Sequence, residues 1–262
     1  MKNINKILKE YYIADEEDNR LKKDLAHQVE FITTINYINK YLKSGDKILE
    51  IGAGTGAYSL YFAEKGFDVA AIELLDSNIE IVASKITEKM KISVKQGNAL
   101  DLSSYEDETF NITLVLGPLY HLFTEEEQKQ AINEAIRVTK KNGIIVMAII
   151  SHDAVMINFG FLKGRIKDEY GKSISKNYRL INKPEEIFYI FDLVDFKKLM
   201  TNFNLEKLHY VAAEGLSSHL RDYVNEFDEE TFEHWINNHL LTCEKESLIG
   251  YSNHILYIGK KK

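Results

Sequence analysis

Three glycines follow a short apolar run near residue 50, in the stretch Glu50-x-Gly52-x-Gly54-Thr55-Gly56. An apolar run that ends in glycines before a helical pattern predicts a strand, a tight turn and the start of a helix. Glycine has no Cβ, so it can adopt positive φ and lets a ligand approach the backbone N–H groups closely. The stretch therefore predicts a loop that binds a nucleotide-like ligand.

Two acids flank this loop in the predicted fold. Glu50 stands two residues before the first glycine, where a carboxylate would repel a pyrophosphate and attract a cation. Glu73 ends the next predicted strand, seventeen residues after Gly56. An acid near that distance binds ribose hydroxyls in nucleotide-binding crossovers. The pair favours a ligand that carries both a positive charge and a ribose.

The loop after the fourth predicted strand carries the candidate catalytic residues. Ligands of parallel sheets bind at the carboxyl ends of the strands, so Tyr120 and His121 are expected to face the ligand. His121 is the candidate general base and Tyr120 the candidate that positions the substrate. A histidine here could equally pack beside a cofactor, and His152, after the fifth strand, is the reserve candidate.

Apolar runs and helical patterns alternate from Lys47 onward, which predicts an α/β fold with a doubly wound, mostly parallel sheet of seven strands. The predicted strands are Lys47–Ile51, Phe67–Ile72, Ile92–Gln96, Phe110–Leu116, Ile144–Ile150, Leu205–Val211 and Ile255–Ile258. Helices are predicted over Ser77–Met90, with Asp76 as its cap, and after a capping box of Thr124 and Glu127.

The remaining segments are assigned around this core. Residues 1–45 are predicted as an N-terminal helical cap, with an amphipathic helix that ends at Ser44-Gly45 and with Tyr11 and Tyr12 as candidates to line a pocket. Residues 46–150 form the ligand-binding core. Residues 151–190 are predicted as an insertion above the site, either a substrate cap or a surface feature. Residues 191–262 complete the core and carry a helical insertion.

Composition excludes several classes of function. The 262 residues have a net charge of −7, which argues against a phosphate-backbone partner. The single cysteine, Cys243, excludes an internal disulfide and fits a cytoplasmic location. No apolar run is long enough for a membrane helix. His234 and His239 are wrongly spaced for two ligands on one helical face, so no metal site is predicted. The oligomeric state stays open.

The motif Glu50-x-Gly52-x-Gly54-Thr55-Gly56 resembles the first motif of class I S-adenosylmethionine-dependent methyltransferases. The strings Leu116–Leu122 and Asp18–Leu21 resemble a bacterial small-molecule branch, the type-11 or ubiquinone-biosynthesis-like enzymes. The resemblance implies a Rossmann-like core and S-adenosylmethionine as cofactor, with S-adenosylhomocysteine as product. The cofactor-binding residues that it implies are Glu50, Gly52, Ala53, Gly54, Glu73, Leu74, Asn98, Ala99 and Leu116.

The activity implied is direct in-line methyl transfer to an oxygen, nitrogen or carbon atom of a small molecule. Two alternatives stay open. Gly52, Gly54 and Ala57 also satisfy the looser dinucleotide fingerprint, and Tyr61 with Lys65 matches the dyad of an NAD(P)-dependent oxidoreductase, although in the wrong helix. The second alternative is a non-catalytic module that binds S-adenosylmethionine.

Overall fold

A mixed sheet organises the part of the protein that the structure describes. The computed structural model describes Leu8, Tyr11, Tyr12 and residues 18–262. Within these residues the sheet has eight strands, in the order β3-β2-β1-β4-β5-β8-β7, with β6 paired to β5 outside this path. The strands are β1 Lys47–Ile51, β2 Asp68–Glu73, β3 Lys91–Gln96, β4 Phe110–Val115, β5 Thr139–Ser151, β6 Ile190–Phe191, β7 Leu205–Ala212 and β8 His254–Lys261.

The strand order places a ligand crevice at one point of the sheet. β1 pairs in parallel with β2 on one side and with β4 on the other, so the direction of winding reverses between β1 and β4. Ligands of open α/β sheets bind at the carboxyl ends of the strands at such a switch point. β8 is antiparallel to both β5 and β7. The predicted mostly parallel, doubly wound fold is confirmed, and the two-residue β6 is the strand that the sequence did not reveal.

Helices cover the sheet. The longer ones are α1 Leu25–Asn39, α2 Ala57–Glu64, α3 Asp76–Lys85, α4 Glu125–Val138, α5 Leu193–Met200 and α6 Glu229–Thr242. Short helical turns lie at Arg20–Lys22, Pro118–His121, His152–Val155, Met156–Leu162, Ile166–Glu169, Gly215–Ser218, Arg221–Val224 and Glu246–Ile249. Buried side chains such as Phe62, Leu114 and Ile132 fill the space between helices and sheet.

Several predicted boundaries were wrong. α3 ends at Lys85 rather than Met90, because the chain turns to extended backbone at Ile86. Leu75 occupies the cap position that was assigned to Asp76, and α1 ends at Asn39. β5 begins at Thr139 rather than Ile144. The residues before Ile144, which were predicted as a turn, belong to the strand, and the pairing register with β4 shifts there, between Phe110 and Ile112. The capping box of Thr124 and Glu127 is confirmed.

Residues 151–190 contain little regular structure besides short helical turns and the first residue of β6. Among the described parts of the chain, no helix is long and apolar enough to cross a membrane.

Candidate active site

The glycine loop begins where β1 ends. Gly52, Gly54 and Gly56 have φ values of 71°, 56° and 85°, in the left-handed region that only glycine adopts at little cost. The backbone N–H of Gly52 donates to the carbonyl oxygen of Ile72 at 2.8 Å, which holds the loop against β2. A Cβ on Gly52 would lie 2.7 Å from Cγ of Pro118. Both the backbone angle and the close approach therefore require glycine at this position.

Glu73, at the end of β2, is fixed by backbone donors. Its Oε2 accepts from the N–H of Gly54 at 2.7 Å, and its Oε1 accepts from the N–H of Leu75 at 2.9 Å. Burial raises the pKa of Glu73, although these hydrogen bonds oppose the shift. Each oxygen can accept a second hydrogen bond, so the carboxylate is oriented and still able to bind a pair of hydroxyl groups.

Glu50 has a partner that the sequence did not suggest. Its Oε2 accepts from the backbone N–H of Ser59 at 2.8 Å and from the hydroxyl of the same residue. Burial raises the pKa of Glu50 to about 8. The carboxyl group therefore anchors the first turn of α2, and its predicted contact with a cofactor cation stays a prediction.

Asn98 follows β3 and closes a tight turn. Its Oδ1 accepts from the N–H of Leu100 at 3.0 Å, and the chain forms an isolated bridge to Asp101. A Cβ on Gly97 would lie 2.6 Å from Cγ2 of Ile72, so the turn packs directly on β2. The turn brings Asn98 and Ala99 to the same edge of the sheet as Glu73.

Tyr120 and His121 lie in the helical turn after β4. The hydroxyl of Tyr120 donates to the carbonyl oxygen of Leu116 at 2.9 Å. Nδ1 of His121 lies 2.9 Å from the carbonyl oxygen of Ile187, and Nε2 lies 3.1 Å from the hydroxyl of Tyr12. A carbonyl can only accept, so Nδ1 carries the proton and Nε2 accepts from Tyr12. Burial lowers the pKa of His121, which favours this neutral form.

Aromatic rings surround His121. Its ring centroid lies 5.7 Å from that of Tyr12, 5.0 Å from that of Tyr120 and 5.5 Å from that of Phe188. Tyr11 packs on Phe188 at 5.3 Å. Tyr12, from residues 1–45, and Phe188, from residues 151–190, therefore both contact His121.

One cavity of about 1040 Å³ joins these parts. Every predicted site residue lines it: Glu50, Gly52, Ala53, Gly54, Glu73, Leu74, Asn98, Ala99, Leu116, Tyr120 and His121. His152, the reserve base, lies outside the lining, and its Nε2 accepts from the N–H of Leu180 at 3.2 Å. The structure thus brings the candidates together with the exception of His152.

Sequence reasoning missed a charged cluster behind the cavity wall. Arg20, which lines the cavity, donates to both carboxylate oxygens of Glu30 at 2.7 and 3.2 Å. Burial alone would raise the pKa of Glu30, but Arg20, together with the charges of His254 and His27, outweighs it and lowers the pKa to about 2. His254 packs against Tyr120 with ring centroids 6.2 Å apart. These residues come from opposite ends of the chain, so no local pattern could have joined them.

The sheet order and the cavity define a Rossmann-like fold with a ligand crevice at the switch point, and comparison with known proteins shows what the chain is similar to. Residues 48–143 match the methyltransferase domain family. The ubiquinone biosynthesis O-methyltransferase of Rickettsia conorii is 26% identical over 177 residues, which cover 67% of this chain and 58% of that protein. The glycine/sarcosine N-methyltransferase of Aphanothece halophytica is 27% identical over 115 residues, 42% of each chain. The matched segment thus spans less than two thirds of either relative.

Solved structures show the same fold. A methyltransferase from Methanosarcina mazei superposes with a TM-score of 0.57 at 20% identity, over 86% of this chain and 96% of that one. One from Archaeoglobus fulgidus gives 0.61 at 16% identity, over 96% and 100%. Residues 48–143 are thus similar to a methyltransferase domain, and the chain shares the fold of solved S-adenosylmethionine-dependent methyltransferases. Neither the family match nor these relatives favour an oxidoreductase.

Proposed function

We propose that the protein transfers the methyl group of S-adenosylmethionine to an oxygen, nitrogen or carbon atom of a small-molecule acceptor. The observation that carries the proposal is the single cavity that the glycine loop and Glu73 share with Tyr120 and His121. Its volume of about 1040 Å³ lies at the upper end of small-molecule sites, which span roughly 300–1,000 Å³, so cofactor and acceptor fit together.

The cofactor half of the proposal uses the loops after β1, β2, β3 and β4. Glu73 binds the ribose hydroxyls with the oxygens that Gly54 and Leu75 orient. Leu74, Asn98 and Ala99 flank the adenine, and Gly52, Ala53 and Gly54 leave their backbone open to the methionyl part. Leu116 lines the same cavity and would complete the contacts to the cofactor. Glu50 contributes by fixing α2 beneath the loop and by its negative charge when ionised.

The acceptor half uses the aromatic cluster around His121. When bound, S-adenosylmethionine would supply an activated methyl group for in-line transfer, and the residues around His121 would hold the acceptor nucleophile beside it. Where the acceptor is a hydroxyl group, that group takes the position of the Tyr12 hydroxyl and gives its proton to Nε2 of His121. Tyr120 shapes the pocket beside it. The sulfonium is already activated, so alignment supplies much of the rate.

The division of the chain follows from this assignment. We propose residues 46–150 as the cofactor-binding core, residues 1–45 and 151–190 as the covers of the acceptor, and residues 191–262 as the rest of the core with the insertion that contains α6. Contacts of Tyr12 and Ile187 with His121 support both covers. The negative net charge supports a small molecule rather than a nucleic acid as acceptor. A cytoplasmic location stays a prediction.

Calorimetry with S-adenosylhomocysteine and with NAD tests the proposal. Wild type is expected to bind S-adenosylhomocysteine and not NAD, and Glu73→Ala to lose that binding. Glu233→Ala, at an exposed position of α6 that does not line the cavity, is a matched control for the deletion of a carboxylate. A screen of phenols, carboxylic acids and amines with labelled cofactor then identifies the acceptor. Binding of NAD alone, or tight S-adenosylhomocysteine binding without methyl transfer to any acceptor or to water, would count against a methyltransferase.

A further inference from the structure

Three ligand-type side chains from separate parts of the chain converge at the start of β8. Glu30 lies on α1, Glu214 follows β7, and His254 is the first residue of β8. Nδ1 of His254 is 3.4 Å from Oε2 of Glu30 and 3.4 Å from Oε1 of Glu214. All three ligand atoms lie within 4.8 Å of one another.

Two atoms of this cluster lack the partners that buried polar atoms normally have. Glu214 is 5% exposed, and its Oε2 has no hydrogen-bond partner among the residues that the structure describes. The same holds for Nδ1 of His254, although two carboxylate oxygens lie close to it. Buried polar atoms without partners cost free energy, so the arrangement points to a bound species between them.

The spacing fits a metal ion. Ligand atoms in a tetrahedral site with bonds of about 2.0–2.2 Å are separated by about 3.3–3.6 Å. If Nδ1 of His254 points at an ion between the three side chains, it does not point at the carboxylate oxygens of Glu30 and Glu214. This explains why both oxygens lie 3.4 Å from Nδ1 without forming a hydrogen bond to it. Imidazole and carboxylates together suit Zn²⁺ and related ions. We propose that Glu30, Glu214 and His254 bind one divalent transition-metal ion, represented by Zn²⁺.

The surroundings suit this role and set its limit. Arg20 binds both oxygens of Glu30 and fixes that carboxylate, as hydrogen-bonded neighbours of metal ligands do. The positive charge of Arg20 opposes the ion, so the affinity is lower than in a site without it. Arg20 and Tyr120 both line the cavity, and the ring of Tyr120 packs on His254. The ion would therefore brace the wall of the acceptor pocket by joining α1 to β8, without taking part in methyl transfer.

The test is metal binding to the full-length chain after dialysis against a chelator. Calorimetric titration with Zn²⁺ is expected to give one ion per chain. Glu214→Gln and His254→Asn are each expected to weaken binding at least tenfold, since changes outside the ligand set already cost about 10–100-fold. His209→Asn is the matched control, because Nδ1 of His209 also meets a carboxylate, Oε2 of Glu244 at 2.7 Å, away from the cluster. It should bind Zn²⁺ as wild type does.

Circular dichroism and S-adenosylhomocysteine binding report whether each variant is folded, and the latter tests the proposed function separately. If the ligand variants do not fold, the visible spectrum of Co²⁺-loaded wild type decides. An intense tetrahedral spectrum supports the site, and the weak spectrum of hydrated Co²⁺ overturns it. The proposal is also overturned if wild type does not bind Zn²⁺, or if Glu214→Gln and His254→Asn bind Zn²⁺ as tightly as wild type does. The cluster would then be a protonated His254 between two carboxylates.

Discussion

Replacement of Gly52 by alanine tests whether the glycine loop is specified by its contact with the turn after β4. Gly52→Ala places a Cβ at a residue with φ of 71°, 2.7 Å from Cγ and 2.9 Å from Cδ of Pro118. The backbone angle alone costs about 1–2 kcal/mol for a residue with a Cβ. Forcing an extra methyl group into a packed contact adds about 1–3 kcal/mol. The expected loss in the free energy of unfolding is therefore about 2–5 kcal/mol.

Gly66→Ala separates the two contributions. Gly66 has φ of 88°, and a Cβ there meets nothing within 4 Å, so only the cost of the backbone angle applies. Urea denaturation of both variants should show Gly52→Ala to be less stable than Gly66→Ala by about 1–3 kcal/mol. Adding Pro118→Ala to Gly52→Ala removes Cγ and Cδ and should recover much of this difference, as the coupling energy of a double-mutant cycle.

Two results would refute this reasoning. Equal losses in Gly52→Ala and Gly66→Ala would mean that Pro118 yields and that the approach of the two loops is not tight. Additive effects of Gly52→Ala and Pro118→Ala would mean that the two positions do not interact. In either case the glycine would be explained by its backbone angle alone.

Two further predictions follow from the raised and lowered pKa values of buried groups. The pKa of Glu50 is about 8 in the folded protein and about 4.5 in the unfolded chain. Between pH 4.5 and pH 8 the folded protein therefore binds one proton more than the unfolded chain, so the free energy of unfolding falls as the pH rises through this range. Urea denaturation from pH 5 to 8 should show wild type losing stability relative to Glu50→Gln as pH rises; a constant difference would contradict a protonated Glu50. His121→Asn should lower methyl transfer to a hydroxyl acceptor about 10²–10⁴-fold with unchanged S-adenosylhomocysteine affinity. Because burial lowers the pKa of His121, the acid limb of wild-type kcat/KM should lie below pH 6.5; a limb above pH 6.5, or full activity of the variant, would exclude His121 as the base.

The residues proposed to bind the cofactor could be placed at one edge of the sheet from the sequence because they lie close to strand ends. Gly52 and Glu73 each follow an apolar run, and the parallel order of β1 and β2 brings them together. Their positions in the sequence therefore predict that they lie close together in the fold. What the sequence could not show is the direction of each side chain: Glu50 turns toward Ser59 because the first turn of α2 offers it two donors.

The acceptor half could be anticipated only in outline. Tyr12 and Phe188 stood out as aromatic residues, but their meeting at His121 depends on how two irregular segments cross the end of the sheet. The cluster of Glu30, Glu214 and His254 joins residues from α1, the loop after β7 and β8. Pairings over such separations follow from tertiary packing and leave no periodic signal in the sequence.

This difference between the two halves bears on how the protein should respond to change. The part of the cavity proposed to bind the cofactor is held by backbone hydrogen bonds, such as that from Gly54 to Glu73, and by glycines that admit no Cβ. The part proposed to bind the acceptor is held by side chains, with Tyr12, Phe188 and Arg20 as examples. Side chains can be exchanged without moving the sheet, whereas the glycine loop cannot. If residues 1–45 and 151–190 cover the acceptor as proposed, substitutions at Tyr12 or Phe188 should change acceptor selectivity and leave cofactor binding by residues 46–150 unchanged.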